Sequence, residues 1–414
     1  MPNIIFIGGL IMAQISIPPV NYSPVIPVEV KRELRVREIR KQTGKPFFLA
    51  ALFIPEMLWT TRINNLDEVL DNYVKYEAGN STRVFLFSQC WHPEYCKWNL
   101  EPFERDDEGK FIMPNSDCID TVTEQCKVDS ADIEAVKLVQ FMCVGKYINP
   151  EWEAQVIERI KKVVRRKIML IISLWDNCGF HYRQNCSWDK NFLNPDNNNI
   201  NTSSHADAYY TYSEFNIFPA TQNTGKIVEA MTRYMLNRIY DSLSPKERKY
   251  IAIEACNEGY SGTAWHMRMK KIIDETWGQT CPRWRRFTST EAETSERTNR
   301  HFTKVFHQIG DLDSYFEKIW EGDFDVKGIS TDGWRVNGQY APIPIPINIA
   351  KRLLRRAYAD ELVLMEMLNG HRQNHIRLPN GIHNTTPDKY YYDHSAIRWN
   401  DMRKLGKLLL KLTK

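Results

Sequence analysis

A chain of 414 residues with 43% hydrophobic and 26% charged residues has the make-up of a globular protein, with room for one large domain or two ordinary ones. Its formal net charge of +4 is thinly spread, which leaves no concentrated basic face of the kind nucleic acid requires. Aromatic residues reach 12%, with 12 Trp and 19 Tyr, a surplus that suits either an ordinary core or a ligand with flat faces such as a sugar ring.

In chain order, the apolar run Ile4–Met12 has no basic residue before it and is too short to span a bilayer. Residues 1–30 are read as an N-terminal leader and 31–414 as a single domain. No later stretch reaches membrane-spanning length, so a soluble protein without a membrane partner is expected, with action outside the cell left open. Lys45–Phe53 (KPFFLAALF) is a continuous apolar run, the pattern of a strand buried on both faces. Helical spacing over Leu66–Glu77 leads to a second strand, Thr82–Gln89. Helical stretches at Ala131–Tyr147 and Pro150–Arg165 precede a third strand, Lys167–Trp175. The amphipathic stretch Gly225–Leu243 precedes a fourth strand, Lys249–Glu258. The alternation goes on with a helix at Ala264–Trp277, a strand at Arg285–Thr290 and a helical stretch at Asn299–Trp320. A sixth strand at Phe324–Thr331, a helix at Ile347–Ala359 and a seventh strand at Glu361–Leu368 follow. Strand and helix alternating without a clean linker predict one parallel α/β domain, and the number of units predicts a (β/α)₈ barrel. No apolar run marks an eighth strand between Glu366 and the basic amphipathic stretch Ile397–Leu412.

Two long insertions, Cys90–Ser130 and Asp176–Thr224, follow the C-terminal ends of strands two and three. Active sites of such barrels form on that face. Trp91 and Trp188 lie in these insertions, as do the cysteine pairs Cys90/Cys96, Cys118/Cys126 and Cys178/Cys186. The close pairs read either as local disulfides, which imply an oxidising compartment, or as free thiols. Cys143 and Cys256 lie in apolar periodic segments and read as small buried hydrophobes. No CxxC occurs, and the histidines, His301 and His307 among them, fit no compact metal site, so no metal and no cofactor are expected. Glycine-rich nucleotide loops and a GxSxG elbow are lacking.

Two carboxylates interrupt apolar runs at strand ends: Glu258 in IEACNEG and Glu366 in LVLMEMLNG. An ionised group there is costly unless it is paired or used. Cleavage of a glycosidic bond with retention needs two carboxyl groups about 5–5.5 Å apart, one a nucleophile and the other an acid/base. With these residues in view, the chain resembles the retaining (β/α)₈ glycoside hydrolases of clan A, most of all the family 5 endo-β-glycanases of the mannanase and cellulase type. The likeness runs over roughly Gly44–Gly370 through GKPFFLAALF, TRVFLFSQ, ISLWDNCG, ACNEG and VLMEMLNG. It implies Glu258 as acid/base, Glu366 as the strand-seven nucleophile, Arg83 as the nucleophile's holder and Asn257 on the sugar 2-hydroxyl. Trp91, Trp175, Asp176 and Trp188 are then further substrate-binding candidates. The sequence departs from the family at Gly259, where Pro is usual, and at Ser330–Gly338, where Asp332 and Trp334 stand near the usual His-x-Tyr. The expected partner is a poly- or oligosaccharide; hydrolysis, transglycosylation and glycan binding without catalysis all fit the pattern.

Overall fold

The computed structural model describes residues 51–53, 57–61, 66–75, 81–87, 99–114, 143–176, 191–200, 223–257, 262–289, 301–306, 327–330, 335–336, 339–340 and 363–365, with single positions 351, 355, 404, 407, 408 and 411. The apolar, β-branched runs form the strands: β1 (Ala51–Phe53), β2 (Ser81–Phe87), β3 (Met169–Trp175), β4 (Ile251–Asn257) and β5 (Arg286–Ser289). They continue with β6 (Thr303–Phe306), β7 (Lys327–Ser330) and, past a small antiparallel pair formed by β8 (Arg335–Val336) and β9 (Gln339–Tyr340), β10 (Val363–Met365). β1 to β7 and β10 make one eight-stranded parallel sheet in strict chain order, and β1 and β10 approach within 8 Å between Cα atoms. The sheet therefore curls until its last strand meets its first, as the (β/α)₈ barrel requires.

The helices α1 (Leu66–Lys75), α2 (Pro150–Arg165), α3 (Asn223–Ser242), α4 (Pro245–Arg248) and α5 (Thr263–Thr276) lie between successive strands. α2 shows why the sequence folds locally. The Asn149 side chain accepts from the Glu151 and Trp152 amides, Pro150 opens the first turn, and Glu151 and Glu153 meet the positive end of the helix dipole. Its Trp152, Val156, Ile160, Val163 and Val164 recur at helical spacing and are buried in the core that covers the strands. The two insertions meet each other. Phe111 N–H donates to the Asn197 carbonyl (2.7 Å), Asn199 N–H donates to the Phe111 carbonyl (3.1 Å), and Phe103 packs edge-on to Phe192.

Two expectations change. The stretch Asn299–Trp320, read as helical, contains β6, which pairs with both β5 and β7. The strand missing from the sequence reading is thus the sixth, and the strand preceding Glu366 is the eighth rather than the seventh. The reason is physical: the apolar residues at β6 (TKVF) are Phe302, Val305 and Phe306, spaced i, i+3, i+4, which is the helical pattern. Cys143 is buried in the core, as expected, but is disulfide-bonded. Cys256 and Cys281 are free and buried. The three close cysteine pairs lie outside the described residues.

Candidate active site

The polar groups of the sheet gather at β2 to β5. Arg83 on β2 and Glu254 on β4 are both fully buried and form a two-pronged ion pair: Nε to Oε2 at 2.7 Å and Nη2 to Oε1 at 2.8 Å. Arg83 Nη2 also donates to Asn257 Oδ1 (2.6 Å), and the Asn257 Nδ2 donates to Asp176 Oδ1 (2.8 Å). Ser289 at the end of β5 donates its hydroxyl to Glu254 Oε1 (2.5 Å). Arg83 reaches Ser289 as well (3.3 Å), although two strands lie between them. Neighbouring strands sit about 4.8 Å apart, so these contacts cross the concave side of a strongly curved sheet, the interior of the barrel.

A local irregularity makes the cluster possible. Residues three apart on a regular strand point to opposite faces. The pairing of β4 with β5 shifts register between Glu254 and Asn257, and both side chains reach Arg83. Such bulges re-aim side chains next to active sites. The Asn257 amide is consequently fixed at both ends, its oxygen toward Arg83 and its nitrogen toward Asp176. Asp176, directly after β3, is 1% exposed; its backbone bridges to Asn257 and its N–H donates to the Phe87 carbonyl (3.1 Å). The ends of β2, β3 and β4 are thereby tied together immediately before position 258.

The other face of the same strands is packed by helices. His266 on α5 is fully buried, with Nδ1 2.7 Å from the Gly262 carbonyl and Nε2 2.6 Å from the Thr288 hydroxyl on β5. Cys256 Sγ lies 3.5 Å from that hydroxyl. Trp175 also belongs to this side. It is 1% exposed, stacks on Phe87 with ring centroids 4.6 Å apart, and donates its indole N–H to the Thr232 hydroxyl on α3 (2.9 Å).

Of the residues singled out in the sequence, the structure brings together Arg83, Asn257 and Asp176. Trp175, expected among the substrate-binding residues, is 1% exposed, with its ring packed between sheet and helix. Glu258, Glu366, Trp91, Trp188, Asp332 and Trp334 lie outside the described residues. Sequence reasoning missed Glu254 and Ser289. Glu254 carries the same signal as Glu258, a carboxylate interrupting an apolar run, in IAIEAC. A serine at a strand end carries no such signal. Among the described residues no His/Cys/Asp/Glu cluster suits a metal ion, and no helix is long and apolar enough to cross a membrane.

No protein-family model matches the chain, and no curated protein matches it. Solved structures of similar course include a tri-modular family 5, subfamily 4 endo-β-1,4-glucanase from Bacillus licheniformis, with TM-score 0.39, 10% identity, 77% of this chain and 53% of that chain covered. The chain thus spans about half the length of that enzyme. A glycoside hydrolase 5 lichenase from a Caldicellulosiruptor species, in complex with cellotetraose, matches with TM-score 0.45 and 10% identity over 94% of this chain and 96% of that chain. A family 5 glycoside hydrolase from Prevotella bryantii, in complex with a xyloglucan tetradecasaccharide, matches with TM-score 0.40 and 9% identity over 88% of this chain and 98% of that chain.

Proposed function

We propose that this chain is a glycoside hydrolase acting on a β-linked glycan, with Glu258 as its acid/base. The observation that carries the reading is the Asn257 amide, held between Arg83 and Asp176 at the end of β4, in the position directly before Glu258. In double displacement, one carboxylate attacks the anomeric carbon while the acid protonates the departing oxygen. The acid, now a base, then takes a proton from the water that releases the sugar. The barrel unit is residues 31–414, after a leader over 1–30. The Cys143 disulfide supports an oxidising compartment and so action outside the cytosol.

Two residues compete for the nucleophile. Glu366 directly follows β10 and interrupts an apolar run. The strand count favours a second reading: the family pattern expects the nucleophile after the seventh strand, which is β7, and the nearest carboxylate after Ser330 is Asp332. In the second reading, Glu366 lines the mouth and Asp332 attacks.

Released reducing ends, measured on β-glucan, xyloglucan, mannan and xylan for wild type and the Glu258→Gln, Glu366→Gln and Asp332→Asn variants, test the reading. Loss of about 10²-fold or more in Glu258→Gln is expected. The variant without a trapped glycosyl intermediate identifies the nucleophile. A wild-type protein that binds these glycans and cleaves none is a glycan-binding barrel, and the enzyme reading fails.

A further inference from the structure

We infer that His266 is a positioning residue that clamps both ends of the segment bearing Glu258, an inference that rests on the proposed role of Glu258. The geometry fixes a one-way chain of donors. The Gly262 carbonyl only accepts, so Nδ1 of His266, 2.7 Å away, carries the proton. Nε2 is then the acceptor and takes the Thr288 hydroxyl proton at 2.6 Å. The Thr288 oxygen is left to accept from the Cys256 thiol at 3.5 Å. The chain of bonds begins at residue 256 and ends at residue 262, and the acid/base position lies between these points. The imidazole is fully buried and packs edge-on to Phe302, with centroids 5.4 Å apart, so it is inaccessible to substrate.

Two further contacts make the clamp stiff. The Gly262 carbonyl also receives the His266 backbone N–H (3.2 Å), which starts α5 at the same point. At the other end, Asn257 is held by Arg83 and Asp176 from the barrel interior. Asn257 and Gly262, which flank the acid/base position, are thus each held by fixed structure, the first through the interior network and the second through His266. A shift of about 1 Å in a catalytic group is enough to cost on the order of 10²-fold in rate. Tautomer and orientation matter more here than charge, because the ring works through the directions of its two bonds.

The conservative variant is His266→Asn, whose side-chain amide keeps a donor where Nδ1 stands; His266→Phe keeps the ring and loses both bonds. His266→Phe is expected to lower kcat about tenfold or more with KM within about twofold of wild type, and His266→Asn to recover most of it. Amide exchange over residues 257–262 is expected to speed up in His266→Phe and to stay near wild type in His266→Asn. A folded His266→Phe protein with unchanged kcat and unchanged exchange overturns the inference, as does a rise in KM at constant kcat. If His266→Phe does not fold, Thr288→Val, which removes the hydroxyl at constant shape, decides in the same way: faster exchange supports the clamp and unchanged exchange overturns it. A wild-type protein without hydrolytic activity sinks the proposed function alone, since the exchange experiment still reads the clamp.

Discussion

The two faces of β3 to β5 solve the problem of buried polarity in opposite ways. On the helix side, the Trp175 indole meets the Thr232 hydroxyl and the His266 imidazole meets the Thr288 hydroxyl, while the ion pair from β5, Arg286 to Asp274 on α5, ends on a carboxyl that is 40% exposed. On the barrel side, Arg83, Glu254 and Asp176 are charged groups in a space where apolar side chains would pack as well or better. A buried ion pair is weak support for stability, because the desolvation of both ions cancels most of their attraction. Its presence under the mouth of a barrel is better explained by what it holds in place.

Removal of one partner of the interior pair should have the largest effect. Arg83→Met leaves Glu254 buried without its guanidinium and is expected to cost about 3–5 kcal/mol, read as a lowered midpoint in urea unfolding. Arg83→Met combined with Glu254→Leu should regain much of that loss, since neither ion is then stranded. Hydrolytic activity should stay lost in the double variant, because Asn257 no longer has its donor. A stable and fully active double variant would erase the distinction between the faces.

The parts of the molecule legible in the sequence are those whose apolar residues form a continuous run or a marked helical face. β2, β3 and β4 have seven residues each, and their apolar runs stand out. The helix α2 was legible to the residue because Asn149, Pro150 and the acidic first turn all mark its start. β6, with four residues, was hidden inside a stretch of helical spacing, and the error moved Glu366 from one strand to the next. Arg83, Asn257 and Asp176 stood out in the sequence as candidates, whereas their mutual arrangement depends on the register shift in β4, which no residue type announces. The burial of Trp175 was not legible for a related reason. Tryptophan suits a core and a sugar platform equally, and only the direction of the side chain separates the two.

Trp175→Phe tests the helix side. The substitution keeps the stack on Phe87 and removes the hydrogen bond to Thr232, with an expected loss of about 1–2 kcal/mol in urea unfolding. KM for glycan should stay within about twofold, since the ring is interior. A KM raised about tenfold with stability unchanged would return Trp175 to the substrate side and break the comparison from the opposite direction.

The smallest effect is expected at the outer surface, where ion pairs are neither site nor core. Asp67 on α1 faces Lys162 on α2 at 2.9 Å and Arg166 at 2.9 Å. The hydrogen bond from Lys162 does most to hold its carboxyl below the usual aspartate range; slight burial opposes this and Arg166 adds to it. A carboxyl whose folded value is depressed adds stability above its unfolded value, about pH 4, and loses it as pH falls through the folded value. The stability difference between wild type and Asp67→Asn should therefore be present at neutral pH, vanish in acid below about pH 4, and shrink in roughly 1 M salt. The side chain is 53% exposed, so the difference at neutral pH belongs with ordinary surface pairs, about 0–1 kcal/mol. Measured beside Arg83→Met, it sharpens the contrast: an ion pair of the same nominal charge matters according to the water it has lost. A loss at Asp67 equal to that at Arg83 would mean that burial does not set the cost.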